Sequence, residues 1–415
     1  MPTWLVTILV LVNVGLIFFL MAAPLGLRTT RRSIIINAPR DRLWQALWPM
    51  GSDANWDGSL VSVEPADGSK MRIALSWEGR DGKPIERLAR FNNVDHGAGF
   101  EMRIVDDSSL DDGFWANYVE KVELADVPGG TRITIAETDR YRGFAFLGFR
   151  YFALRRRLLK LRQWIDTGKY RPGGIFEHPA TQLAMALISV LVLWSITGFT
   201  VGGLAFAIML TIVVALHELG HMAAFRVSGH RKVRMIFIPL LGGIAVGGRP
   251  YDSRFEVAFV ALMGAGFSAF LVPPLLVVGH WAVAAGNVNG GNFIAAIIAC
   301  IALFNLANLM PVWKFDGGQV LRQILPGGAP LAFASFALLA LFLGIGLAAG
   351  FSQRVVIVGG IVLAALSLIT SGSNVKPRHA LRPISSTGRA MIGAGLLASI
   401  TLHGSGVLWA FRHFF

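Results

Sequence analysis

Charge is what this sequence has least of: Asp, Glu, Lys and Arg make up 15% of its 415 residues, while 54% are apolar. An ordinary soluble domain carries about 25% charged residues, so a soluble globular chain of this length is excluded. Cysteine is nearly absent as well. The single one, Cys300, lies in an apolar run, which rules out a disulfide within the chain and says little about compartment. Acids are scarcest in the second half, where residues 222–415 hold three: Asp252, Glu256 and Asp316. Any chemistry there that needs a carboxylate has few to choose from.

Against this background a net charge of +13 stands out. Residues 173–415 hold fourteen Lys/Arg and five acids, giving +9, and residues 1–172 hold the remaining +4. The excess thus sits in short segments between apolar runs, where it sets membrane orientation. No basic–aromatic surface or base-reading motif accompanies it, so nucleic acid is not an expected partner.

Apolar stretches approaching the ~20 residues needed for one bilayer crossing recur along the chain. The fold class expected is a polytopic α-helical membrane protein of about eight spans with an inserted soluble α+β domain. Residues 1–29 read as an anchor: Trp4–Leu27 carries no charge, and Arg28, Arg31 and Arg32 follow it. A cleaved signal would place its charges before the apolar stretch, so the N-terminus is expected outside and the arginines in the cytoplasm. Two spans are expected in Pro179–Phe225 with a turn near Gly202-Gly203, two in Val257–Trp313 broken at Gly286–Asn292, and three more within 326–415, at about 330–350, 354–373 and 389–411. Met235–Gly248 is apolar but too short to cross and reads as a re-entrant loop or hairpin. With residues 30–168 inside, the cytoplasmic loops hold twelve Lys/Arg against Arg354 and Arg412 outside, in keeping with the positive-inside rule. The expected setting is a bacterial inner membrane.

Residues 30–168 alternate as a soluble domain does. Ser33–Asn37 reads as a strand and Arg40–Leu47 as a helix. Met71–Trp77, Phe100–Val105, Ala116–Leu124 and Arg132–Glu137 read as strands, with a turn at Pro128-Gly129-Gly130, and Gly143–Trp164 as a long closing helix. This order, with the opening IIINAPRDRLWQAL and Trp56, resembles the helix-grip fold of START-type and polyketide-cyclase-like lipid-binding domains. The resemblance implies an apolar pocket between sheet and closing helix for a lipid or other hydrophobic ligand. The clustered acids Asp106, Asp107, Asp111 and Asp112 form no ligand or nucleophile motif.

One constellation carries chemistry. His217-Glu218-Leu219-Gly220-His221 is H-E-x-x-H, which on a helix puts two imidazoles on one face and a glutamate beside them, the pattern of a catalytic zinc site. These ionisable groups interrupt an apolar stretch at bilayer depth, where they are costly without a strong partner. A zinc site of this kind needs a third ligand and an open position. Asp316 is the leading candidate, since Asp252 and Glu256 lie in a basic loop; His280 and His403 are its rivals.

Asn308-Leu309-Met310-Pro311 followed by Phe315-Asp316-Gly317-Gly318 resembles the N-x-x-P-x-x-x-x-D-G signature of the site-2 protease family of intramembrane zinc metalloproteases. Leu262-Met263-Gly264-Ala265-Gly266 is similar to that family's A-G-P segment, with alanine where proline is usual. The resemblance covers roughly 180–325, inside an expected catalytic core of 174–325. It implies Zn2+ held by His217, His221 and Asp316, Glu218 as general base, Asn308 as a polar residue near the scissile carbonyl, and a transmembrane protein or peptide as substrate within membrane lipids. The glycines of 235–248 suit either turns or pairing with an extended substrate. Two other classes remain open: a lipid-binding scaffold with a structural metal, and a metal or proton transporter.

Overall fold

The computed structural model describes residues 3–171, 173, 178–238, 242–325, 327–371 and 377–414. The chain forms two compact units, Met1–Pro172 with Ile369–Ala380, and Gly173–Leu368 with Leu381–Phe415.

The first unit opens with α1 (Thr3–Met21), apolar and free of charge. Pro24 lacks the amide to continue a helix, and the chain passes directly into β1 (Pro24–Ile36). The helix is therefore shorter than the charge-free run, and Pro24–Leu27 belongs to the sheet. Next come α2 (Arg40–Leu47), β2 (Leu60–Pro65), β3 (Lys70–Glu78), β4 (Pro84–Asp95), β5 (Gly99–Asp107), α3 (Asp112–Trp115), β6 (Val119–Val127), β7 (Gly130–Arg142) and α4 (Phe144–Thr167). The strands form one antiparallel sheet in the order β1-β7-β6-β5-β4-β3-β2. A strand, a helix, six antiparallel strands and a long closing helix are the helix-grip order.

Its core follows from two periodicities. The sheet contributes Ile36, Val122, Leu124, Ile133 and Ile135, and α4 contributes Leu154, Leu158, Leu161 and Ile165 at spacings of four, three and four. Burying each such side chain contributes about 1.5–3 kcal/mol. Along β7 the same inward face turns polar, with Glu137 and Asp139 buried beyond Ile135. Arg150 of α4 stands 3.8 Å from Glu137, and Arg157 lies 2.8 Å from Glu120 of β6. Pro377 bridges Leu110, and Arg378 donates to the Asp107 carbonyl and pairs with Asp106. A late stretch of chain thus belongs to this unit.

The second unit holds α5 (Pro179–Ile196), α6 (Val201–Val227), β8 (Arg234–Ile238), β9 (Gly242–Val246), α7 (Arg254–Ala269), α8 (Val272–Ala284), α9 (Val288–Asn308), α10 (Asp316–Ile324), α11 (Ala329–Ala348), most of α12 (Gln353–Ser371) and α13 (Ser386–Phe414). Among the described residues six helices are long and apolar enough to cross a membrane: α5, α6, α7 with α8 as one 31-residue stretch, α9, α11 and α13. Eight crossings were expected. The six do not include α12 or α1, each 19 residues long.

The turn expected near Gly202-Gly203 lies earlier. Gly198 and Phe199 take positive φ, and the Thr200 hydroxyl caps α6 by accepting the Gly203 amide at 3.0 Å. The glycine pair is inside the helix, where Gly203 packs beneath Thr197. β8 and β9 pair antiparallel, Arg234 opposite Val246 and Ile238 opposite Gly242. In the second half α6 packs on α7, α9 and β9, and α10 and α13 pack on α7.

Candidate metal centre

Three elements meet at the H-E-x-x-H turn. His217, Glu218 and His221 sit in the C-terminal half of α6, with His217 and Glu218 buried. Their ligand-capable atoms lie within 4.8 Å of one another. Asp316 arrives from the chain after α9: α9 ends at Asn308, Pro311 bars its continuation, and the chain restarts as α10 with Asp316 in its first turn. Side chains at Gly317 and Gly318 would overlap the carbonyls of Leu309 and Val312, so this turn closes only with the two glycines. Asp316 Oδ2 stands 3.1 Å from His217 Nε2 and 3.5 Å from His221 Nε2, and the two Nε2 atoms are 3.1 Å apart.

The outer ring nitrogens fix what those inner atoms are. His221 Nδ1 lies 2.7 Å from the Val260 carbonyl of α7, which can only accept. His217 Nδ1 lies 2.9 Å from Asn305 Oδ1, while Asn305 Nδ2 donates to the Ile301 carbonyl at 2.8 Å. Both imidazoles therefore donate from Nδ1, and in the neutral ring that leaves an Nε2 lone pair facing inward. Two lone pairs and a carboxylate oxygen converge, and buried Asp316 Oδ2 has no hydrogen-bond partner. Three acceptors at such separations repel unless a metal ion or a proton lies among them. Donors around a tetrahedral zinc lie about 3.3 Å apart, and N/N/O is a zinc donor set. The residues fit a bound Zn2+.

Gly264 makes the approach of α7 possible, since a Cβ there would lie 2.5 Å from His221 Cε1 and 2.7 Å from His217 Cε1. The A-G-P-like stretch thus acts as a smooth wall behind the two rings. His403 of α13 is fully buried and its Nε2 stands 3.1 Å from the Ala265 carbonyl one residue on. It buttresses α7. His280 is exposed, bonded to the Leu276 carbonyl and tilted against Trp409. Neither rival joins the cluster. Asn308 donates its Nδ2 to the Phe304 carbonyl at 3.0 Å, which leaves its second amide hydrogen. Asn305, three residues earlier and fully buried, is the asparagine that touches a histidine. Sequence reading missed it because an asparagine deep in an apolar run is a signal only by its cost.

An apolar cavity of about 200 Å3 lies elsewhere in this unit, among α9, α11, α12 and α13, and none of His217, Glu218, His221 or Asp316 lines it.

No protein-family model matches this chain, and no curated protein matches it. Solved structures match about a third of it. The Aha1 dimer from Colwellia psychrerythraea is 13% identical over 34% of this chain and 98% of its own, with a TM-score of 0.28. Protein MLL2253 from Mesorhizobium loti is 21% identical over 34% and 99%, at 0.26. ChR145 from Cytophaga hutchinsonii is 12% identical over 34% and 95%, at 0.29. Likeness at these levels says nothing about activity.

Proposed function

We propose that this chain is a zinc metallopeptidase of the site-2 protease kind, cleaving peptide bonds in or near transmembrane segments of membrane proteins. The observation that supports this most is the convergence of two Nε2 lone pairs and the unpartnered Asp316 oxygen on one point beside Glu218. A bound Zn2+ would supply Lewis acidity there, polarising a carbonyl and acidifying water.

The chain's own residues supply the rest. Asn305 and Val260 hold the histidines in the tautomer that ligates. Glu218, buried beside them, is not needed as a ligand once Asp316 fills that place, so it is free to take a proton from the attacking water and return it to the leaving amine. The remaining amide hydrogen of Asn308 is available to a developing oxyanion. The six membrane-capable helices favour substrates that reach the site within or at the edge of a bilayer.

Glu218→Gln separates this from the other readings. The purified, reconstituted variant should keep its zinc and lose cleavage of membrane-protein fragments. Zinc bound by wild type without Glu218-dependent cleavage would favour a structural metal, and metal movement across sealed vesicles would favour a transporter.

A further inference from the structure

The closing helix of the first unit has a second apolar face. Leu154, Leu158, Leu161 and Ile165 of α4 are buried against the sheet. At about 3.6 residues per turn, Phe149, Phe152 and Leu159 fall on the opposite side, where a surface helix is ordinarily polar. They are 66%, 62% and 45% exposed, and Phe144 is 52% exposed. From Phe144 to Leu154 the one charged residue is Arg150. A helix segment that is apolar all round calls for a cover on its outer side.

Position and charge say what the cover is. α4 starts where α1 stops: the Gly143 amide, one residue before α4, donates to the Ala23 carbonyl, two residues beyond α1, and the two helices pack together. α1 has nineteen residues and no charge, about 28 Å of apolar helix, close to the thickness of a bilayer's hydrocarbon core. A bilayer that takes up α1 therefore brings the first turns of α4 to its surface. Phe19, Leu20 and Met21 of α1 and Leu27 of β1 are also exposed at this joint.

Residues 140–165 hold eight Lys/Arg and no acid. Arg150 and Arg157 face Glu137 and Glu120 inside the unit, whereas Arg140, Arg142, Arg155 and Arg156 are exposed. Aromatic residues with arginines beside them are the composition of helices that lie in a membrane interface. The arginines complement anionic lipid phosphates.

We propose that the first half of α4 lies in the interface of the bilayer that takes up α1, with Phe149 and Phe152 among the acyl chains and Arg155 and Arg156 on anionic headgroups. The sheet then stands off from the lipid behind α4. This placement does not depend on the peptidase reading.

Spin labels test it on the full chain. Cys300→Ser leaves no cysteine, and single labels go to Phe149→Cys, Phe152→Cys and Val61→Cys, the last on β2, at the edge of the sheet farthest from β1. All three side chains are exposed, so the labels leave the core intact. In nanodiscs of mixed phosphatidylcholine and phosphatidylglycerol, collisions are compared between oxygen, which partitions into lipid, and a water-soluble nickel chelate. Labels at 149 and 152 should favour oxygen, at a depth of about 5–10 Å, and the label at 61 should favour nickel. In phosphatidylcholine alone, or with Arg155→Gln and Arg156→Gln together, the first two labels should become shallower. Nickel access at 149 and 152 equal to that at 61 overturns the proposal. So does a label reached by neither reagent, since protein, whether a second copy or another part of the chain, would then cover the face. A depth indifferent both to lipid charge and to the two arginines overturns the assignment to anionic headgroups.

Discussion

Asn305→Leu is the most exacting perturbation of the candidate centre, because it touches no ligand atom. The leucine is close in volume and suits an apolar run, but it removes the oxygen 2.9 Å from His217 Nδ1. That ring then has a buried N–H without an acceptor, costing about 1–3 kcal/mol. The cheapest escape moves the proton to Nε2, which stands 3.1 Å from Asp316 Oδ2 and can donate to it. The centre would then be closed by an internal hydrogen bond, and a metal would have to reverse that proton shift to bind. Loss of such an orienting partner typically weakens metal binding by 10–100-fold, or about 1.4–2.7 kcal/mol. Competition titration of purified protein against a zinc chelator measures it, and Asn308→Leu is the control: its Nδ2 goes to the Phe304 carbonyl, so its zinc affinity should match wild type. The reasoning is refuted if Asn305→Leu binds zinc as wild type does, or if both variants weaken alike.

Asp316→Ala should lower zinc content as well as activity; wild-type content by elemental analysis would move the third ligand elsewhere. Leu158→Ala, deep between α4 and the sheet, should destabilise the first unit by about 2–5 kcal/mol, measured by denaturant unfolding, with zinc content unchanged. Burial, then the Glu120 carboxylate, holds Glu137 above its ordinary 4.5, and burial holds Asp139 above its ordinary 3.8. The native state therefore keeps protons that the unfolded chain has released. The first unit should lose stability as pH rises through the raised values and gain it as pH falls towards the ordinary ones. Glu137→Gln should flatten that slope in urea titrations at several pH values, and a wild-type slope of opposite sign would sink the argument.

Much of the fold was legible because it is written in periodicities. Arg40–Leu47 was readable to the residue, and the alternation of 132–137 marked the heart of β7. β1 was read as five residues instead of thirteen, since an edge strand bearing Arg28, Arg31 and Arg32 shows little alternation. At the candidate site, the motifs named His217, Glu218, His221 and Asp316, and the structure gathers them. Asn305 was illegible for a different reason. It acts through a contact 88 residues away in sequence.

The junction of α1 and β1 has a mechanical consequence. Two residues, Ala22 and Ala23, separate helix from strand, and the Gly143 amide bonds the Ala23 carbonyl at 2.8 Å. Gly143, at positive φ, packs so closely on Leu20 and Met21 that a Cβ would strike their backbone. The joint thus works as a rigid shaft coupling. Torque or tension on α1 passes into β1 and, through its ladder of pairs, into β7, with no slack segment to dissipate it.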